Sequence, residues 1–174
     1  YRSADALPPG AVVVVGSAQS GCQIAEELLV AGRTVYLCAS RVARVPRRHR
    51  GRDIAEWWVD VGFWDQTVAD LEDPAMRLAP QPQVSGVGTR GHTVSLQQLA
   101  RDGALLLGRA LGVNEGRLAL DSRLGAYVRF ADERSAQMKR DIDAAILRAG
   151  GALPADEHDA ADVPAPELYD VSGS

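Results

Sequence analysis

The feature that most constrains this chain is a run of four valines, Val12 to Val15, that breaks into Gly16-Ser17-Ala18-Gln19-Ser20-Gly21 and then into a helical pattern. A continuous β-branched run after the turn signal Pro8-Pro9-Gly10 reads as a strand. Its lack of polar alternation predicts burial on both faces, the habit of a parallel sheet. Beyond the turn, Cys22, Ala25, Leu28 and Leu29 recur at helical spacing with Glu26 and Glu27 opposite, and Gly32 marks the stop. Thr34-Val35-Tyr36-Leu37-Cys38 reads as a second strand. Strand, helix and strand together make a β-α-β unit, which closes with a right-handed crossover.

The rest of the chain is less regular. Residues 41–52 are strongly basic without a clear period. Asp53 is placed to cap a helix through Ile54, Trp57, Trp58 and Val61 that Gly62 ends. Three prolines in residues 73–82 and three glycines in residues 85–91 mark loops, so this stretch forms an irregular helical insertion. Ser95 caps a short helix to Leu99. Residues 105–107 fit either helix or strand, and Asn114-Glu115-Gly116 followed by alternating Leu118 and Leu120 predicts a β-hairpin. Asp121 or Ser122 caps a long helix whose apolar stripe is Met138, Ile142 and Ile146, stopped by Gly150-Gly151. Residues 152–174 hold three prolines and no period and read as a linker or tail, leaving residues 1–151 as one domain.

The chemistry sits in the turn. G-x-G-x-x-G between a strand and a helix is the dinucleotide-binding pattern. Here Gly16 and Gly21 hold the first and third positions and Ala18 the middle one. Gly16 permits the sharp turn, Gly21 permits close helix–strand packing, and Ala18 stands where backbone approaches a pyrophosphate. The helix N-terminus adds unpaired N–H groups and the positive end of its dipole. The predicted fold is therefore α/β, a Rossmann-like parallel sheet flanked by helices, and residues 16–21 (Gly16, Ser17, Ala18, Gln19, Ser20 and Gly21) are the candidate phosphate contacts. An NAD site wants a carboxylate at the end of the second strand. That stretch reads Cys38-Ala39-Ser40-Arg41, and between Leu28 and Arg52 there is no acid but seven arginines, at positions 33, 41, 44, 47, 48, 50 and 52. An Arg pairs with a 2′-phosphate where a carboxylate repels it. Arg41, with Ser40 as auxiliary donor, therefore points to NADP(H), and Arg50 and Arg52 read as a solvated basic face.

The segment Val14-Val15-Gly16-Ser17-Ala18-Gln19-Ser20-Gly21-Cys22-Gln23-Ile24-Ala25-Glu26-Glu27-Leu28 resembles the NADP-binding segment of the flavin-containing, class B flavoprotein monooxygenases. Arg44-Val45-Pro46-Arg47-Arg48-His49-Arg50-Gly51-Arg52-Asp53 is similar to bacterial members, and Leu107 to Leu120 to the family's middle segment. Tyr1 matches the last position of a motif whose earlier part lies upstream in that family. The resemblance covers residues 1–151 and implies the NADP domain of a longer oxidoreductase. In that family NADPH reduces an FAD held by a second domain with its own glycine turn, and NADP+ then stays to protect the oxygenating flavin. It implies that Gly16, Ser17, Gln19, Ser20 and Gly21 contact pyrophosphate and Arg41 the 2′-phosphate. The partners implied are the FAD domain and a small-molecule substrate, with a homo-oligomer possible; the catalytic residues stay unassigned. Two other readings remain: a non-catalytic NADP-binding sensor or docking module, and a reductase that passes electrons on without oxygenation.

Composition narrows the rest. The formal charge of −4 argues against nucleic acid as the main partner. No apolar run is long enough for a membrane span and no signal peptide opens the chain, which begins at Tyr1 and reads as a segment of something longer. Cys22 and Cys38 lack metal-ligand spacing and fit a reducing cytoplasm, with Cys22 a packing residue more than a nucleophile. His49, His92 and His158 are scattered, so no metal site is expected, and Asp156-Glu157-His158-Asp159 reads as solvated linker. Of Trp57, Trp58, Phe63 and Trp64, at least two are expected in the core, with a cofactor cleft or a domain interface as the other use of the group.

Overall fold

The structure, a computed structural model, describes residues 1–71, 73–86, 91–156 and 159–169. It is a mixed α/β fold built on three parallel strands: β1 (Val12–Val15), β2 (Val35–Cys38) and, much later in the chain, β5 (Leu105–Leu107). Their order is β1-β2-β5, with β2 in the middle. Val12 pairs with Val35, Val14 with Leu37 and Leu37 with Leu106. Side chains alternate along a strand, so these residues share one face. Helices α1 (Gln19–Val30) and α3 (Leu96–Arg101) cover it with Cys22, Ala25, Leu28, Leu96 and Leu99. The opposite face is partly open: Val13, Val15 and Leu105 are 49%, 67% and 48% exposed, while Cys38 on the same face is buried. The expected burial of the valine run on both faces is thus corrected. The helices after β1 and before β5 both pack on the Val14–Leu37 side, so one layer covers one face. Residues 105–107, open in the sequence, pair as a strand because Leu106 fills the place beside Leu37.

Two small antiparallel sheets flank this layer. β3 (Arg48–His49) and β4 (Arg52–Asp53) form a hairpin about Arg50 at φ +49° and Gly51 at φ +74°, the left-handed pair that a two-residue hairpin demands. The basic run gave no sign of it. β6 (Ala110–Asn114) and β7 (Arg117–Leu120) form the expected hairpin, turning at Glu115 and Gly116. Helix α2 (Ile54–Asp60) starts at Asp53, whose carboxylate accepts the Ala55 N–H at 3.0 Å. Ser95 caps α3 in the same way, accepting from Gln98 at 3.0 Å. Between α2 and α3 the insertion carries 3-10 turns at Phe63–Asp65, Val68–Asp70 and Pro74–Leu78. Part of the glycine-rich stretch expected as loop, residues 87–90, lies outside the described residues.

The long helix α4 runs from Leu124 to Arg148. Its first turns join the sheet core through Leu124, Tyr127 and Val128. Its far half packs Met138, Ile142 and Ile146 against Val45, Ile54 and Trp57, the predicted stripe meeting a second apolar cluster. The cap differs from expectation: Arg123 occupies the N-cap position without a side-chain bond. Asp121 instead accepts the backbone N–H groups of Arg109 at 3.0 Å and Arg123 at 3.2 Å, together with the Tyr127 hydroxyl. Of the segment read as linker or tail, residues 159–169 pack along the body. Ala161 and Ala165 are buried, Thr93 donates to Asp159 at 2.5 Å, and the Tyr169 hydroxyl donates to Asp132 at 2.8 Å. Glu157 and His158 lie outside the described residues.

Candidate functional site

The strand-to-helix turn is assembled from backbone constraints. The Gly16 N–H donates to the Cys38 carbonyl at 3.0 Å, and Gly16 sits at φ +103°, a conformation that disfavours a side chain. A Cβ added at Gly21 would overlap the Gly16 carbonyl oxygen, so only glycine lets α1 begin this close to β1. Ser17 is fully buried; its hydroxyl accepts the Ser40 N–H at 3.0 Å and locks the ends of β1 and β2 together. The Ser17 carbonyl accepts from Gln83 Nε2 at 2.6 Å and from the Cys22 thiol at 3.3 Å. A trans peptide directs its C=O and the following N–H oppositely. Pinning the Ser17 carbonyl on Gln83 and Cys22 therefore points the Ala18 N–H away from them. Ala18 is the N-cap of α1 in extended geometry (φ −73°, ψ −179°) and supplies no side-chain cap. The first N–H groups of an α-helix have no intrahelical partner, and among the described residues no side-chain cap meets them here.

Each predicted residue has a definite place. Gly16, Ser17, Ala18, Gln19, Ser20 and Gly21 form the turn, and Ser40 and Arg41 lie just beyond the neighbouring strand, so both groups stand at the carboxyl ends of β1 and β2. Open α/β sheets bind ligands there. Ser20 is exposed and Ala18 half-buried. The Gln19 side chain, however, is occupied: Oε1 accepts the Val84 N–H at 2.7 Å and the Ser85 N–H at 3.3 Å, while Nε2 donates to the Ser85 carbonyl at 2.5 Å. Gln23 Nε2 donates to the same carbonyl at 3.0 Å. These bonds strap residues 83–86 across the first turns of α1, so what Gln19 presents to a ligand is its backbone. Sequence reasoning missed Gln83 and Ser85. The proline-rich surroundings of Gln83 read as loop, and its pairing with Arg44 is an isolated parallel bridge.

The seven arginines divide sharply. Arg33 donates to the Ala4, Pro8 and Gly10 carbonyls at 3.2, 2.6 and 2.9 Å. Arg44 is buried and pairs with Asp132 and Asp162, and burial pushes its guanidinium below the usual range against the pull of Asp132. Arg47 pairs with Asp53 at 2.6 Å, and Arg48 donates to the Gly91 carbonyl at 3.3 Å. Arg50 grips Asp143 at 2.6 and 2.7 Å, and Arg52 reaches Glu56 at 3.2 Å and Asp60 at 2.7 Å. Arg50 and Arg52 are thus paired with acids instead of forming a free basic face. Arg41 makes no ion pair among the described residues; its guanidinium lies 3.7 Å from the ring centroid of Phe130 on α4. Among the described residues Arg41 thus meets a ring, where Arg33 meets backbone carbonyls and Arg44, Arg47, Arg50 and Arg52 meet carboxylates.

The other candidates resolve as follows. Burial, with Glu26 nearby, pushes the Cys22 thiol up to about 12, so it is no thiolate at neutral pH. Cys22 and Cys38 are both free and buried. His49 is buried, with Nε2 2.8 Å from Asp143 and Nδ1 3.3 Å from Asp156, and His92 pairs with Glu26. Among the described residues, no group of three or more His, Cys, Asp or Glu is gathered to hold a metal. None of their helices is long and apolar enough to cross a membrane. Trp57 is buried and Trp58 half-buried, while Phe63 and Trp64 are 39% and 59% exposed; Phe63 stacks on Trp58 and Trp64 meets it edge-on. An apolar cavity of about 260 Å³ lies between α2 and the end of α4, lined by Trp57, Val61, Ala145, Ile146, Ala149 and Pro154, none of them part of the glycine turn. No family model, no curated protein and no solved structure matches the chain.

Proposed function

We propose that residues 1–151 are a Rossmann-like NADP(H)-binding domain and that it serves a longer FAD-dependent monooxygenase. The carrying observation is the turn. Gly16 holds a positive φ, Gly21 tolerates no Cβ, and the uncapped start of α1 stands at the carboxyl end of a parallel strand. A pyrophosphate fits such a place because it is small, anionic and an acceptor on every side, matching outward N–H groups and a dipole end. Arg41 at the end of β2, with no carboxylate partner among the described residues, supports NADP over NAD. The strand order β1-β2-β5 also accords with one half of a doubly wound sheet. A bound nicotinamide nucleotide supplies hydride; this chain's residues supply binding, orientation and charge. The flavin and the oxygen chemistry belong to the rest of the proposed parent, as the family resemblance implies.

Titration of this chain with NADP+ and NAD+ by calorimetry tests the binding half of the proposal. NADP+ binding more tightly by roughly 10- to 150-fold is expected, the equivalent of one charge-assisted contact of about 1.5–3 kcal/mol. Equal affinities, or tighter NAD+, would sink it. Anaerobic bleaching of the flavin by NADPH in the full-length protein tests the second half.

A further inference from the structure

Resting on the NADP reading above, we infer that Phe130 is a specificity-determining positioning residue, holding Arg41 so that its donors meet the 2′-phosphate. The two residues are 89 positions apart and meet because α4 crosses the carboxyl end of β2 on its way from one apolar cluster to the other. Val128 and Ala131 face the core and are buried; Phe130 lies half-buried beside them, outside both clusters. Its ring therefore contributes little to the core and is free to serve as a platform. The guanidinium lies 3.7 Å from the ring centroid. Stacking uses the flat face of an Arg and leaves its five N–H donors in the plane, pointing outward. A long side chain on an exposed loop otherwise spreads over many rotamers, and ordering it on binding costs affinity. The ring removes much of that cost in advance, and does so for the one group that distinguishes NADP from NAD.

The test uses calorimetric titration of NADP+ and NAD+ into this chain, wild type, Phe130→Leu, Phe130→Tyr and Arg41→Ala. Phe130→Leu keeps an apolar side chain of similar bulk but removes the ring. It should lower the NADP+ to NAD+ affinity ratio roughly two- to fivefold, the range of an exposed cation–π contact, with NAD+ affinity unchanged. Phe130→Tyr keeps the ring and should keep the ratio. In the Arg41→Ala background, Phe130→Leu should have no further effect on the ratio. Three results overturn the inference: an unchanged ratio in Phe130→Leu, equal weakening of both nucleotides, or a ratio loss that persists without Arg41. In each of these the wild type still prefers NADP+, so the nucleotide reading survives. A wild type that binds neither nucleotide, or both alike, fails at the earlier step and takes the inference down with it.

Discussion

Two regions of the molecule treat polar groups in opposite ways. At the carboxyl ends of β1 and β2, side chains tie up a backbone carbonyl and none caps the helix that follows: Gln83 and Cys22 take the Ser17 carbonyl, and Ala18 caps nothing. Along α2, α4 and the turn at Ala160–Asp162, charge is answered with charge: Arg44 by Asp132 and Asp162, Arg47 by Asp53, Arg50 by Asp143, Arg52 by Glu56 and Asp60. One region starts a helix without a side-chain cap among the described residues, which on the proposed reading is where a phosphate sits. The other cancels its charges internally and reads as scaffold, although it holds most of the cations that caught the eye in the sequence.

The largest effect should come from Gly21→Val. Backbone, not a mobile side chain, occupies the space its Cβ would need, so relief requires moving α1 off β1. A loss above about 4 kcal/mol is expected, seen as missing cooperative urea unfolding. Wild-type stability in this variant would break the placement of the helix on the strand. Next comes Arg44→Met on the scaffold side. It leaves Asp132 and Asp162 buried without their guanidinium and should cost about 3–5 kcal/mol of stability, whereas Arg52→Ala, at an exposed pair, should stay within about 0.5 kcal/mol. Nearly equal losses in the two variants would erase the difference between buried and exposed pairs.

Arg41→Ala should cost at most about 0.5–1 kcal/mol of stability, the range of its contact with Phe130, and weaken NADP+ by roughly 10- to 150-fold, about 1.5–3 kcal/mol, with NAD+ unmoved. Arg52→Ala should change neither nucleotide. If Arg52 matters more than Arg41, the working cation has been chosen from the wrong region.

That contrast also marks what the sequence could and could not reveal. The glycine turn, α1, the hairpin at Glu115-Gly116 and the caps at Asp53 and Ser95 depend on residues a few positions apart, and local pattern suffices to find them. The fates of the arginines depend on acids up to 118 positions away: Asp132 and Asp162 for Arg44, Asp143 for Arg50. A run of like charges looks the same whether its partners are distant residues or solvent. Gln83 escaped for the same reason, since its reach to the Ser17 carbonyl spans 66 positions. The partly open sheet face escaped because β-branched pattern reports what a strand tolerates, not how many layers the chain lays over it. Gln19 was half legible: its position in the turn follows from the motif, while its strap to Ser85 does not.

The pH response sharpens the scaffold side. The Arg50 guanidinium, helped by His49, holds the Asp143 carboxyl at about 2 against an ordinary 3.8. The folded state therefore favours the ionised form. Its contribution is complete above about pH 4 and is lost as pH falls toward about 2, on the order of 1–2 kcal/mol after solvent screening. Urea midpoints measured across that window for wild type and Asp143→Asn should converge toward the acid end. Parallel curves would mean the Arg50–Asp143 pair adds nothing that titrates.

The smallest change in stability is expected at Ala18, and it separates fold from site most cleanly. As a glycine, this position gains unfolded freedom and loses about 0.4–1 kcal/mol of stability. Yet Ala18 is the N-cap of α1, where glycine is preferred to alanine by a similar amount. The two terms oppose each other, so Ala18→Gly should melt within roughly 0.5 kcal/mol of the parent. On the proposed reading it should bind NADP+ more tightly, because the methyl nearest the pyrophosphate is gone. Ala18→Val makes the opposite change: extended backbone suits a β-branched residue, so the fold should persist while binding is abolished. Calorimetry and thermal melts on the two variants read both quantities at once. If Ala18→Val binds NADP+ as the parent does, residues 16–21 are a tight turn and nothing more. The outward N–H groups would then lack the ligand that their uncapped state invites.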